Sequence, residues 1–192
     1  MRRKNSSRWR IILMIVCVCF FIGIFAGAVS AGSLDSEQTA RLYGYIEEHI
    51  PAEADFWRLY LKHGKYICAI WLAGLVSSGA VIIFIIMFTA GLFYGFSAAF
   101  VSAESGAAYL LSNIFPQSTI LVPLYIFSAV WSLNFILNGF SNNGPKSRLK
   151  REKLKHMKEH IIILALCLII NAAACFAEIY VVSSASKILN LY

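Results

Sequence analysis

The sequence predicts an all-α, polytopic transmembrane helix bundle of about five spans, and three observations predict it. Of 192 residues, 59% are hydrophobic and only 14% are charged, well under the quarter usual for a soluble domain. The mean hydropathy is +0.68. The apolar residues fall in long uninterrupted runs, without the alternation that a barrel strand requires. A soluble chain this size could bury a core, but it could not surround that core with so little charge. In lipid the backbone must satisfy its own hydrogen bonds, so such runs are helices.

A span needs about 20 mostly apolar residues. A basic tail, 1–10, precedes the first span, 11–31. An outer segment, 32–65, leads to the second, 66–88, and the third covers 91–111. An outer turn, 112–119, the fourth span, 120–139, a basic loop, 140–160, and the fifth span, 161–183, complete the single membrane domain. The third span carries Ser97, Ser102, Glu104 and Ser105, and two readings stand for it: it crosses, or it dips and returns around Ser105 to Pro116. Between the second and third, Phe88-Thr89-Ala90-Gly91 is expected to turn tightly with almost no polar residue.

Charge orients the stack. Arg2, Arg3, Lys4, Arg8 and Arg10 precede the first span without an acid. The second basic stretch holds Lys146, Arg148, Lys150, Arg151, Lys153, Lys155 and Lys158 against Glu152 and Glu159. The positive-inside rule puts both in the cytoplasm, and the four crossings between them agree in parity. The 33–65 stretch then lies outside with Asp35, Glu37, Glu47, Glu48, Glu53 and Asp55 against Arg41, Arg58, Lys62 and Lys65. The last residues also fall outside. Near the N-terminus, Val29-Ser30-Ala31 could end a cleaved signal peptide, but the apolar run exceeds the usual ~7–15 residues and favours an uncleaved anchor.

In the outer segment, Asp35 or Ser36 can cap a helix in which Leu42, Tyr45, Ile46 and His49 share a face. After Pro51 a second short helix gathers Phe56, Trp57, Tyr60 and Leu61. Such aromatic amphipathic pieces lie at the headgroup level. They either merely join two spans or form a platform for a partner.

Chemistry is sparse. Cys17, Cys19, Cys68, Cys167 and Cys175 all fall inside expected spans without a CxxC pair, which reads as packing. His156-Met157-Lys158-Glu159-His160 matches the H-x-x-E-H pattern of a zinc peptidase class. Its only downstream carboxylate, Glu178, lies about 27 Å away along the helix, and the lysine-rich surroundings repel a cation. A solvated basic helix able to meet anionic lipid heads is the better reading. No catalytic residue, metal site, cofactor or nucleic-acid partner is expected.

Glu104 and Glu178 are the intramembrane carboxylates, Asn134 and Asn171 add polar contacts, and small-residue pairs Gly23/Gly27 and Gly91/Gly95 invite close helix packing. Pro116 and Pro123 shape the entry to span four.

The arrangement resembles the stage II sporulation protein M family of bacterial membrane proteins. The likeness lies in Phe20-Phe21-Ile22-Gly23-Ile24-Phe25-Ala26-Gly27, in Gln38 to Ile50, in Trp71-Leu72-Ala73-Gly74 and in Gly91 to Ser97. It continues in Ile114-Phe115-Pro116-Gln117 with Leu121-Val122-Pro123, and in Ala177-Glu178-Ile179-Tyr180. Ser118 stands where the family commonly has Asn, and no Thr-Pro follows Tyr180. The resemblance implies a non-enzymatic component of the machinery by which a mother cell engulfs its forespore. It would hold two membrane-anchored cell-wall hydrolases, a lytic transglycosylase and an amidase-endopeptidase, at the septal membrane. The alternative is a permease-like transport subunit, which would need a polar path through several spans. Oligomeric state is not legible.

Overall fold

The structure is a computed structural model. It describes the backbone over residues 2–49, 56–76, 78–113, 115–139 and 146–189, and side chains over 7–42, 44–45, 56–76, 78–102, 119–137 and 157–179. Six helices appear in these stretches: α1 (Arg2–Gly32), α2 (Ser36–His49), α3 (Phe56–Gly74), α4 (Gly79–Asn113), α5 (Phe115–Gly139) and α6 (Lys146–Leu189). Four of them contain stretches long and apolar enough to cross a membrane: Ser7–Gly32, Gly79–Ser102, Thr119–Leu137 and Met157–Ile179.

Two expected spans are redrawn. The chain does not turn at Phe88–Gly91, because α4 runs through that stretch and Thr89 Oγ1 bonds back to the Ile85 carbonyl within the same helix. It turns between Gly74 and Gly79, in the middle of the expected second span. Leu75 and Val76 N–H donate to the Leu72 and Ala73 carbonyls (both 3.1 Å), tightening the last turn of α3, and Gly79 N–H donates to Val76 (3.0 Å). Any side chain at Gly79 would strike the Ala73 carbonyl, so the chain can double back only with glycine there. The expected short helix near Phe56 and the first half of the expected second span are therefore one helix, α3. Arg58, Lys62 and Lys65, expected in the outer segment, stand on it. The basic loop expected at 140–160 is helical from Lys146, continuous with the last span.

Contacts set the directions. Cys19 Sγ donates to the Phe84 carbonyl (3.5 Å), Gly23 faces Phe88 and Gly91, and Gly27 faces Leu92 and Phe96, so α1 and α4 are parallel. Phe56 stacks on Phe176 (4.4 Å) and Trp71 on His160 (5.3 Å), so α3 is antiparallel to α6. Phe135 against His160 (4.3 Å) and Ser128 against Cys167 (3.4 Å) make α5 antiparallel to α6 as well. Helices α1, α4 and α6 thus run one way, and α3 and α5 the other. The midpoints of the four apolar stretches fall near Phe20, Gly91, Ser128 and Leu168; Gly91 lies against Phe20 and Ser128 against Cys167, so the midpoints are level within the α1–α4 pair and within the α5–α6 pair. Ile67 of α3 belongs to the level of the α5–α6 pair, since it shares a cavity wall with Ser128 and Cys167.

The α1–α4 contact is the closest in the bundle. Both GxxxG pairs lie in it, backbone against backbone. A Cβ on Gly23 would meet the Phe88 carbonyl and stand 3.2 Å from Gly91 Cα, and one on Gly91 would stand 3.1 Å from Ile24 N. Gly27 and Gly95 are tighter still, with Leu92 C 2.9 Å and Ile24 Cα 2.8 Å from the added atom. Without side chains between them, two helices gain extended van der Waals contact that lipid cannot supply. Val16, Phe20, Ile83 and Met87 continue the contact below.

Asp35 precedes the first residue of α2; its N–H donates to Gln38 Oε1 (3.2 Å), while its carbonyl accepts Thr39 N–H (2.9 Å). Of the two expected capping positions, Asp35 is the one at the helix boundary, and Gln38 closes one arm of a capping box. Among the described residues α2 packs on no other helix. A leucine at Gly91 or Gly95 should force α1 off α4 and lower stability by at least the ~1–3 kcal/mol of overpacking, read as a fall in detergent melting temperature. Gly44→Ala in α2, where nothing lies within 4 Å, should leave that temperature unchanged or raise it.

Candidate functional site: a polar seam among α3, α5 and α6

A surface facing hydrocarbon gives polar side chains no partner, so they turn inward and find one another. The described buried polar side chains are His63, Ser128, Ser132, His160 and Asn171. All lie on the mutual faces of α3, α5 and α6.

At the level of the apolar midpoints and just beyond, His63 Nδ1 and Tyr125 Oη share a hydrogen bond of 2.9 Å. Tyr66 lies against the Tyr125 ring (6.1 Å), and Tyr94 of α4 borders it, packed on Phe20 (6.2 Å). Asn171 Nδ2 donates to the Tyr60 carbonyl (3.2 Å), tying α6 to α3. One level toward the α6 start, Trp71 Nε1–H donates to the His160 carbonyl (3.1 Å), and His160 Nε2–H points back to the Trp71 carbonyl (3.4 Å). The imidazole lies nearly parallel between the Trp71 and Phe135 rings. Gly74 admits this approach: an added Cβ would stand 3.0 Å from Ser132 Cβ and 3.1 Å from His160 Nε2. A cavity about the size of one water molecule remains, walled in part by Ser128, Ser132, His160 and Cys167.

The residues singled out in the sequence are dispersed about this seam. Gly23, Gly27, Gly91 and Gly95 come together, but in the α1–α4 contact. Asn171 belongs to the seam and Asn134 is half-buried on α5. Glu178 is half-buried on α6, about two turns beyond Asn171. Glu104 lies on α4, and Pro116 and Gln117 in the first turn of α5; the side chains of all three fall outside the described set, as does that of His156. Pro123 is exposed, eight residues into α5, so it lies inside the helix and not at its entry. It cannot donate to the carbonyl four residues back. All five cysteines are free thiols, Cys167 and Cys175 buried and the others half-buried. Among the described residues no three His, Cys, Asp or Glu side chains gather.

His63, Tyr94, Tyr125, Ser128, Ser132 and His160 were not foreseen as a group. Their one sequence signal was the spacing of Tyr125, Ser128 and Ser132 at three and four residues on α5, which marks one helical face.

These helices, directions and interior contacts define an integral-membrane helical bundle stitched by polar contacts between neighbouring spans. The profile of the stage II sporulation protein M family matches residues 16–183, and the chain belongs to that family. No curated protein and no solved structure gives a significant match.

Tyr125→Phe removes the His63 bond while preserving the ring. It should lower stability by about 1–2 kcal/mol, the scale of such bonds between membrane helices. Adding His63→Leu should cost less than the sum of the two single changes, in a double-variant cycle of denaturation in mixed micelles.

Proposed function

We propose that the chain is a non-enzymatic membrane scaffold of the sporulation engulfment complex, recruiting or anchoring peptidoglycan-degrading partners at the septal membrane. The observation that carries this reading is membership of the stage II sporulation protein M family over residues 16–183. Its partners are then membrane-anchored cell-wall hydrolases, a lytic transglycosylase and an amidase-endopeptidase, and it works by binding.

The interior supports the reading. The seam's hydrogen bonds run from helix to helix, which is how polar groups act when they hold a bundle together. A permease-like subunit needs an open polar path, and the seam's cavity admits about one water.

In the proposed topology α1, α3, α4, α5 and α6 all cross. The starts of α1, α4 and α6 share one end of the bundle, which gathers Arg8, Arg10, the turn between Gly74 and Gly79, and Lys158. That end is cytoplasmic by the positive-inside rule. Helix α2 and the end of α6 are then outside.

Loss of the chain should stall engulfment after a normal septum forms, seen by membrane-dye microscopy of sporulating cells; complete engulfment without it would remove the scaffold reading. For topology, a cysteine at Ser78 in a background lacking the five native cysteines should react with an impermeant maleimide only in inverted vesicles. One at Gly44 should react in intact protoplasts. Labelling of both from the same side would overturn the five-crossing layout.

A further inference from the structure

Helix α3 presents a basic stripe where the large outward side chains described on α1, α4 and α6 are apolar. Arg58, Lys62 and Lys65 recur at four and three residues, so they share one face, and all three are exposed. Leu61 and Leu72 flank them, at 64% and 56% exposure. At the depth of Lys65 and Lys62 the large outward side chains of the neighbours are apolar: Ile22 and Phe25 on α1, Phe93 on α4, Ile169 and Ile170 on α6.

Depth makes the stripe informative. Ile67 marks the level of the α5–α6 midpoints, and a helix rises 1.5 Å per residue. Lys65 therefore stands about 3 Å from that level, Lys62 about 7.5 Å and Arg58 about 13.5 Å. The hydrocarbon extends about 15 Å on each side of the midplane. Arg58 reaches headgroups easily. Lys65 would have to climb about 12 Å with a stem of about 6 Å, so snorkelling does not bring it to water. Its ammonium lies 5.3 Å from the Tyr66 ring, a weak partner for a full charge. Among the described residues no carboxylate forms a salt bridge with any of the three.

We propose that the Arg58–Lys62–Lys65 face of α3 docks a transmembrane helix of a different protein, one that carries a carboxylate in its outer half. Charge complementarity selects this occupant: a carboxylate at that depth satisfies Lys62 and Lys65, and a pair of opposite charges attracts most strongly where water is excluded. A second copy of this chain does not fit. No Asp or Glu lies between residues 56 and 103 or between 105 and 151, and Glu104 and Glu178 stand about 19.5 Å and 15 Å beyond the midpoint levels of their own helices. Lipid phosphate does not fit either, because Lys65 is too deep. The proposal rests on the scaffold reading for its biology and supplies the surface by which a membrane-anchored partner would be held.

A benzophenone side chain placed at Leu61 or at Leu72, in sporulating cells, tests it. Photolysis should trap one membrane protein through a transmembrane peptide containing Asp or Glu. Lys62→Leu with Lys65→Leu should cut that yield about tenfold or more while the detergent melting temperature holds or rises. Lys65→Glu should also abolish trapping, and changing the trapped carboxylate to Lys should restore it, which a folding defect could not do. Trapping of lipid alone, trapping of a second copy, or unchanged yield in the leucine variant would each overturn the proposal. If that variant engulfs normally with unchanged trapping while the deletion strain stalls, the docking surface falls and the scaffold stands. If the deletion strain engulfs normally but the charge swap restores trapping, the surface stands and the scaffold reading falls.

Discussion

The rest of the bundle depends on the backbone contact between α1 and α4. Four glycines remove every side chain from the crossing, so Phe20, Ile24, Phe88 and Leu92 present carbonyls and amides where other helices present methyl groups. That closeness fixes the pitch of α1 against α4, and with it the level at which Gly91 meets Phe20. Because α4 follows α3 through only four residues, the same contact sets where α3 stands beside α5 and α6. Dispersion over such a surface is non-directional and each atom pair is weak, but the contact is extensive and lipid tails cannot reproduce it.

The other half of the bundle is held differently. Helix α3 has the least to gain from lipid, since it carries Arg58, Lys62 and Lys65. It also makes the most directional bonds: His63 to Tyr125, the Tyr60 carbonyl to Asn171, and the reciprocal Trp71–His160 pair. A helix that hydrocarbon would retain poorly is kept in place by partners on two neighbours. Its inner face is committed to them, which leaves its charged face turned outward. Apolar helices packed by glycine and a polar helix packed by hydrogen bonds are thus two answers to one problem, the absence of a hydrophobic drive between helices once all are in lipid.

Much of this was legible in the residues. Helical class and the positions of the apolar stretches on α1, α5 and α6 follow from apolar length. The two GxxxG pairs were visible as small-residue faces, although their mutual pairing was not, because 68 residues separate Gly23 from Gly91. The turn between Gly74 and Gly79 was missed for a physical reason. Hydropathy averages over about 20 residues, and Ser77-Ser78-Gly79 is too short to dent a window that Leu75, Val76 and Val81 dominate. The seam was hidden because histidine, tyrosine and serine read as neutral punctuation until three helices bring them face to face. The stripe on α3 is in plain view in the sequence, but a span boundary at Tyr66 places it in the outer amphipathic segment.

The parallel pairing of α1 with α4 has a consequence for biosynthesis. Parallel neighbours cannot be joined by a short hairpin, so α1 enters the bilayer well before its partner exists. At about 5–20 residues per second, the ribosome needs roughly 3–14 seconds to go from Gly23 to Gly91. Throughout that interval the bare glycine strip of α1 rests against lipid or whatever else passes. The nascent chain is then most exposed to mispairing, and its fate turns on how quickly translation delivers the fourth helix.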